Sequence, residues 1–258
     1  RLGLVPKIQN GYYYPFSKSS LSVKEALLYL ASSLEVEIIN DTLVEEVKKK
    51  DDLFLVKTNK GNFTSPRLVL ATGSKAYSKT GSSGMGYQFA LSFSHHLVKV
   101  LPSLTGVKGK GNYFSSWKGI RCEALLTLYE DGKKVKEELG ELQLTDYGLS
   151  GICIFNLSYY IGKGLALGKK EEVVINFLPF LKEEELESYF MMRAKRFPKM
   201  PLISFLMPFL NYKLILLFIS LLSISKDTPF LSLTEKERKS LLSLLSSFKV
   251  PIIDTNSF

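Results

Sequence analysis

Leu68-Val69-Leu70-Ala71-Thr72-Gly73, followed by Gly81-Ser82-Ser83-Gly84-Met85-Gly86, decides how the chain folds. Four apolar residues in a row suit a strand buried on both faces of an α/β sheet. At the carboxyl end of such a strand, a residue without Cβ lets the backbone approach a bound cofactor. Taken alone, Ala71-Thr72-Gly73 reads more readily as a turn that ends a strand. The next loop has the spacing G-x-x-G-x-G, which is neither the dinucleotide fingerprint G-x-G-x-x-G nor a P-loop. Its backbone N–H groups, opening a helix expected over residues 87–97, suit an anion or a carbonyl. A plain surface loop is the competing reading.

On the amino-terminal side, residues 4–16 predict a hairpin. Asn10-Gly11 is the pair that a tight type I′ turn prefers. Ser22 with Glu25 predicts a capping box. Val23, Ala26, Leu27 and Leu30 then share one helical face up to about Ser33. Val36 and Ile38 suggest a short strand. Extended pieces come next over residues 44–48, 53–58 and 63–71, with Asn59-Lys60-Gly61 as a turn.

On the other side, Pro102 marks a change of character. Residues 102–177 read mostly as strands, with Asp131-Gly132 as a hairpin turn between 120–129 and 134–138. Gly148 and Gly151 frame a short polar segment. It is either a connection inside a β domain or backbone laid against a planar ring. Residues 183–197 predict an amphipathic helix with Leu186, Tyr189, Phe190 and Ala194 on one side. Pro198, Pro201 and Pro208 break the next stretch into short pieces. Thr234 with Glu237 forms a second capping box, ahead of Leu241, Leu242, Leu244 and Leu245. Val250, Ile252 and Ile253 predict a strand that returns to the β part. The expected organisation is α/β over 1–98, an inserted β-barrel-like domain over 99–178, a helical subdomain over 179–247, and the returning strand over 248–258.

Composition excludes several classes. The chain has 258 residues, 45% of them hydrophobic, so intrinsic disorder is not expected. Its net charge of +9 is scattered among acidic residues without an aromatic-basic stripe, so no nucleic-acid partner is expected. Cys122 and Cys153 have no metal-type spacing and fit a reducing cytoplasm. His95 and His96 are adjacent without further ligands, so no metal site is expected. No nucleophile–base pair emerges, which disfavours a hydrolase and favours chemistry carried by a cofactor. Residues 202–223 are very apolar. Pro208, Asn211 and Lys213 interrupt them, so they read as a buried helix pair and not as a membrane span.

Three motifs occur in order: Gly11-Tyr12-Tyr13-Tyr14-Pro15-Phe16-Ser17 with Ser22-Val23; Leu70-Ala71-Thr72-Gly73-Ser74 with Gly81-Ser82-Ser83-Gly84-Met85-Gly86-Tyr87; and Gly140-Glu141 with Thr145 and Gly148-Leu149-Ser150-Gly151. Together they resemble the bacterial flavoprotein family of aminoacetone-oxidase-like or bile-acid-inducible NAD(P)/FAD-dependent oxidoreductases. The resemblance implies a Rossmann-like FAD domain carrying an inserted β-barrel-like domain and a small helical subdomain. It implies FAD as cofactor, NAD(P)H as electron donor and a small organic molecule as substrate. By the same resemblance Val44 faces the adenine side, and Ala71, Thr72 and Gly73 pass close to the cofactor. Gly84, Gly86, Gly148, Ser150 and Gly151 lie toward the flavin ring and substrate. Tyr14, Ser17 and Thr145 are the candidate proton donors. Family members open with a strand, a G-x-G-x-x-G turn and a ribose-binding acidic residue, and close with a glycine-rich segment. Neither is found here, and Ser74 stands where many members have a second glycine. The expectation is a fragment that binds FAD weakly by itself. The alternative is a non-catalytic interaction module using the apolar 202–222 surface.

Overall fold

The computed structural model describes residues 2–9 and 11–257. It divides into two compact units, Arg1–Thr72 with Met85–His95, and Gly73–Gly84 with His96–Phe258.

The first unit opens with the expected hairpin, β1 (Pro6–Gln9) and β2 (Tyr12–Pro15), with Lys7 opposite Tyr14. Gly11 has a φ of 79°, while Asn10 lies outside the described residues. Helix α1 spans Ser20–Ser33. It begins earlier than expected, and the Ser22–Glu25 capping box does not form. Ser22 already lies inside the helix, and its hydroxyl donates to the Ser19 carbonyl at 2.7 Å. That is the local backbone bond a serine makes when it is not the cap. Strands β3 (Val44–Lys50), β4 (Leu53–Thr58) and β5 (Gly61–Ser65) form an antiparallel meander. The Thr58 hydroxyl donates to the Gly61 carbonyl at 2.7 Å and fastens the expected turn at Asn59-Lys60. Helix α2 (Met85–Ser92) is shorter than the expected 87–97, because Ser94 turns into the left-handed region at a φ of 63°.

Two expected strands are absent. Strand β5 stops at Ser65 because Pro66 has no N–H with which to continue the ladder. Residues 68–71 then run without strand pairing, and Val69 is 84% exposed. Val36 and Ile38 are likewise exposed and lie outside any strand, the Val36 N–H going back to the Ala31 carbonyl at 2.9 Å. A strand is a strand only where a neighbour takes up its N–H and C=O groups. The parallel sheet of a Rossmann-like domain is therefore not among the described elements.

The second unit is built on a closed barrel. Its strands are β6 (Val107–Gly109), β7 (Arg121–Glu130), β8 (Lys133–Leu144), β9 (Gly148–Ser150), β10 (Glu171–Asn176) and β11 (Phe248–Thr255). They close in the order β10-β11-β6-β9-β8-β7, antiparallel throughout. The period of two is visible along β7, where Ala124, Leu126 and Leu128 point inward and are buried. Asp131-Gly132, with φ values of 49° and 78°, makes the expected primed turn between β7 and β8. The returning strand β11 joins β10 to β6, as the pattern at Val250 and Ile252 predicted.

The expectation that 102–177 is mostly strand needs one large correction. Residues Ile152–Ala166 form helix α4, packed on the barrel strands through Cys153, Ile154, Leu157, Ile161 and Gly164. Those residues repeat at helical spacing. Ile154, Ile161, Gly162 and Gly164 have poor helix propensity, so burial against the barrel decides their conformation. A short helix, α3 (Phe114–Trp117), packs the buried Trp117 against Phe248 of β11, and its indole N–H donates to the Thr145 carbonyl at 3.0 Å.

Between β10 and β11 lie α5 (Glu183–Arg196), α6 (Leu202–Leu206), α7 (Tyr212–Leu222) and α8 (Glu235–Ser246). Leu186, Phe190 and Ala194 of α5 are buried as expected. The Thr234–Glu237 capping box is present in full. The apolar 202–222 stretch faces mostly inward, with Met207, Leu216 and Leu221 left exposed. Leu202, Phe205, Leu206, Leu214, Ile215 and Phe218 are buried in the core shared with the barrel. No helix among the described residues is long and apolar enough to cross a membrane.

Candidate functional site

Two close approaches of backbone mark the stretches 71–73 and 81–86, one in each unit. In the first unit Gly86, on the first turn of α2, lies against Thr72: a Cβ on Gly86 would sit 2.1 Å from the Thr72 hydroxyl oxygen. In the second, Gly73 at a φ of 73° lies against Ser82: a Cβ there would sit 2.9 Å from the Ser82 hydroxyl. Gly84 is buried at a φ of 82°. Ser74 accepts the Ala76 N–H at 3.2 Å and caps a 3-10 turn over Lys75–Thr80. A side chain at 86 would meet the Thr72 hydroxyl, and one at 73 would meet the Ser82 hydroxyl and also adopt a positive φ that favours glycine. Val44 begins β3, half-buried and opposite Thr58. Ala71 is exposed.

Charge singles out the same part of the chain. Residues 53–122 contain ten lysines and arginines and not one aspartate or glutamate. The whole-chain net charge conceals this run. Four of the ten are already paired with carboxylates from outside the run, Lys57 with Glu45, Lys108 with Asp254, Lys118 with Asp146 and Arg121 with Glu141. Lys75 and Lys79, beside the 81–84 loop, have no ion pair among the described residues and suit an anion. On this observation the residues fit an anionic dinucleotide.

The hairpin and α1 of the first unit border a groove of about 1040 Å³. Tyr14 opens onto it, with Val23, Leu27, Leu28 and Ile38 as apolar lining and Lys7, Lys18 and Lys24 as its charged groups. Ser17 holds its hydroxyl 2.8 Å from that of Ser22 and is exposed. Neither Tyr14 nor Ser17 sits beside a basic group that would prime it as a proton donor within hydrogen-bonding distance among the described contacts.

Segment 145–151 has a structural account of its own. Thr145 accepts the Gly148 N–H on its hydroxyl at 3.1 Å, and its own N–H reaches the Gly148 carbonyl at 3.1 Å. A Cβ on Gly148 would fall 2.3 Å from the Val107 carbonyl, and one on Gly151 would fall 2.4 Å from that of Glu141. The short strand β9 is therefore threaded between β6 and β8 with no room for side chains at either end. Ser150 is buried between them. Gly151, at a φ of 99°, turns the chain from β9 into α4.

Two thiols lie near this segment. The Cys153 Sγ donates to the Glu141 carbonyl at 3.2 Å. Burial pushes the Cys153 thiol up to about 11. Burial, then the neighbouring Cys153, pushes Cys122 up to about 12. Both are inert at neutral pH. Among the described residues no group of three or more His, Cys, Asp or Glu side chains is arranged to hold a metal ion.

Comparison with known proteins adds to this geometry. The family model described as "HI0933-like protein barrel and H2TH domain" matches residues 102–258, the barrel and its helical insertion. The 3-dehydro-bile acid delta(4,6)-reductase of Clostridium scindens (strain ATCC 35704 / DSM 5676 / VPI 13733 / 19) is 32% identical over 257 residues. That alignment covers 100% of this chain and 63% of the relative, so the chain spans less than two thirds of the relative's length.

Proposed function

The chain belongs to the HI0933-like family, and from that premise we propose that it serves an FAD-dependent oxidoreductase. The observation that carries the reading is the family match over residues 102–258, joined by the run of residues 53–122 without an acidic side chain. The name of the Clostridium relative, a reductase, supports it.

In this reading the backbone at Thr72, Gly73, Gly84 and Gly86 lies along the dinucleotide, with Val44 toward its adenine. The flavin, when bound, supplies hydride transfer to or from an organic substrate, with NAD(P)H as the electron donor. The chain's own part is to bind, orient and shield. Gly148, Ser150 and Gly151, which backbone contacts hold to β6 and β8, are the residues we propose for the ring side. The relative's name makes a 3-dehydro-bile acid the first substrate to assay.

We further propose that this chain by itself holds FAD weakly. The exposed Val69 and Leu70 and the bare apolar side of α1 are surfaces that a complete dinucleotide-binding domain covers. Two titrations test the pair of claims. FAD is added to this chain alone, and to the chain joined to the remaining length found in the Clostridium relative. Weak binding by the first and stoichiometric, NAD(P)H-reducible flavin in the second are expected. Tight binding by the first would overturn the weak-binding claim only. No binding by either would overturn the flavin assignment.

A further inference from the structure

We propose that Glu171 and Glu130 form a proton-sharing carboxyl pair that makes the packing of α4 on the β7–β10 corner of the barrel respond to pH. The pair lies outside the flavin reading and does not depend on it.

Glu171 on β10 stands directly opposite Glu130 on β7 in the ladder. Residues so placed project on the same face, and two ionised groups there repel. Glu171 is only 3% exposed, and neither of its carboxylate oxygens meets a hydrogen-bond donor among the described residues. Both carboxyl groups press on one point of α4. A Cβ on Gly164 would lie 1.7 Å from Glu171 Oε1 and 2.8 Å from Glu130 Oε2. Ionised carboxylates only accept hydrogen bonds, so such an arrangement is stable when one of the two holds a proton and donates it to the other.

The surroundings assign the proton to Glu171. Glu130 is paired with Lys169, from the loop before β10. Asp131, from the β7–β8 turn, adds negative charge and accepts the Lys170 N–H at 3.0 Å. Helix α4 brings only the Gly164 backbone to the carboxyls, its neighbour Lys163 being exposed. Strand β11 places Ile252 opposite Glu171, and its Asp254 is occupied by Lys108 at 2.9 Å. Burial first, then Glu130 and Asp131, raise the Glu171 carboxyl to about 7, with Lys169 opposing. A folded-state value above the ordinary one means stability that is present in acid and lost as pH rises through about 7. Above that range the buried Glu171 charge faces the Lys169-paired Glu130 charge, beside a cavity of about 480 Å³ lined by Tyr129, Glu172 and Pro251 together with Lys169 and Lys170. The final turn of α4 and the start of β10 then loosen.

Two measurements on the full protein test this. Infrared difference spectra between about pH 6 and pH 8 read the protonated-carboxyl stretch in the wild type and in Glu171→Gln. Amide hydrogen exchange over residues 160–176, corrected for the intrinsic pH dependence of exchange, reads the loosening. In the wild type the band disappears with a midpoint near 7, and corrected exchange rises several-fold. In Glu171→Gln both responses are absent. The proposal is overturned if Glu171→Gln keeps the wild-type response, or if no carboxyl titrates in that range in the wild type. Should Glu171→Gln fail to fold, Glu130→Gln decides. An amide donor at position 130 stabilises the Glu171 carboxylate and moves the midpoint down, and an unmoved midpoint overturns the pair.

Discussion

Gly86 is held against Thr72 so closely that a single added methyl group would fall 2.1 Å from the threonine hydroxyl. Substituting alanine there forces the Thr72 side chain to turn aside, or else α2 or the bend at residue 72 to move. Gly86→Ala is expected to destabilise the first unit by about 1–3 kcal/mol, the usual cost of overpacking. Combining it with Thr72→Ala should recover part of that loss, because the obstructing oxygen goes. Urea unfolding of the two single variants and the double variant measures the coupling, and strict additivity would contradict the contact.

The Thr145 hydroxyl receives the Gly148 N–H, which holds the side chain in place and leaves its own O–H able to donate. Thr145→Val removes that acceptor and is expected to cost about 1 kcal/mol of stability. Thr145→Ser should cost less, because the acceptor is retained. Thermal unfolding compares them. A Thr145→Val variant as stable as the wild type would show that the Gly148 contact contributes nothing.

The Thr234–Glu237 box is the clearest local motif that the sequence offers, with both reciprocal bonds formed at 3.2 Å and 2.7 Å. Thr234→Ala is expected to lower stability by about 1 kcal/mol. The loss should appear first as faster amide exchange in the opening turn of α8.

Cys122 and Cys153 are protonated in the folded chain well above neutral pH, because burial raises them to about 12 and about 11. Alkylation by iodoacetamide at about pH 8 should therefore be slow for the native protein and fast in urea, where thiols return to about 8.5. Mass spectrometry of timed samples reads both sites. Rapid native labelling of Cys153 would show that the α4 packing opens.

Motifs that act within a few residues were legible in the sequence. Asp131-Gly132 announced its turn, the α5 stripe announced its buried side, and Thr234 with Glu237 announced its cap. Where a distant partner decides, reading from neighbours failed. The apolar run at residues 68–71 has strand composition, yet Pro66 ends β5 before it and no described strand lies alongside. Ser22 and Glu25 have the spacing of a cap, yet α1 starts ahead of them. Helix α4 was hidden because its isoleucines and glycines suit strands and loops until the barrel buries one side of it. The candidate site divides in the same way. The glycines at 73, 84, 86, 148 and 151 were visible, but the reason for those at 148 and 151 is a strand register that local spacing cannot supply. The Glu171–Glu130 apposition arises from register alone, and no motif could have disclosed it.

Strand β11 carries a cost in the order of assembly. It closes the barrel between β10 and β6, yet more than seventy residues of helical chain are synthesised between β10 and it. Until it emerges from the ribosome, β6 and β10 each present an open edge able to pair with a neighbouring nascent chain. The helical insertion, rich in local contacts, has time to form first and to shelter that gap. Barrel closure is thus a late event during biosynthesis, and the period before it is when this protein is most exposed to chaperones and to aggregation.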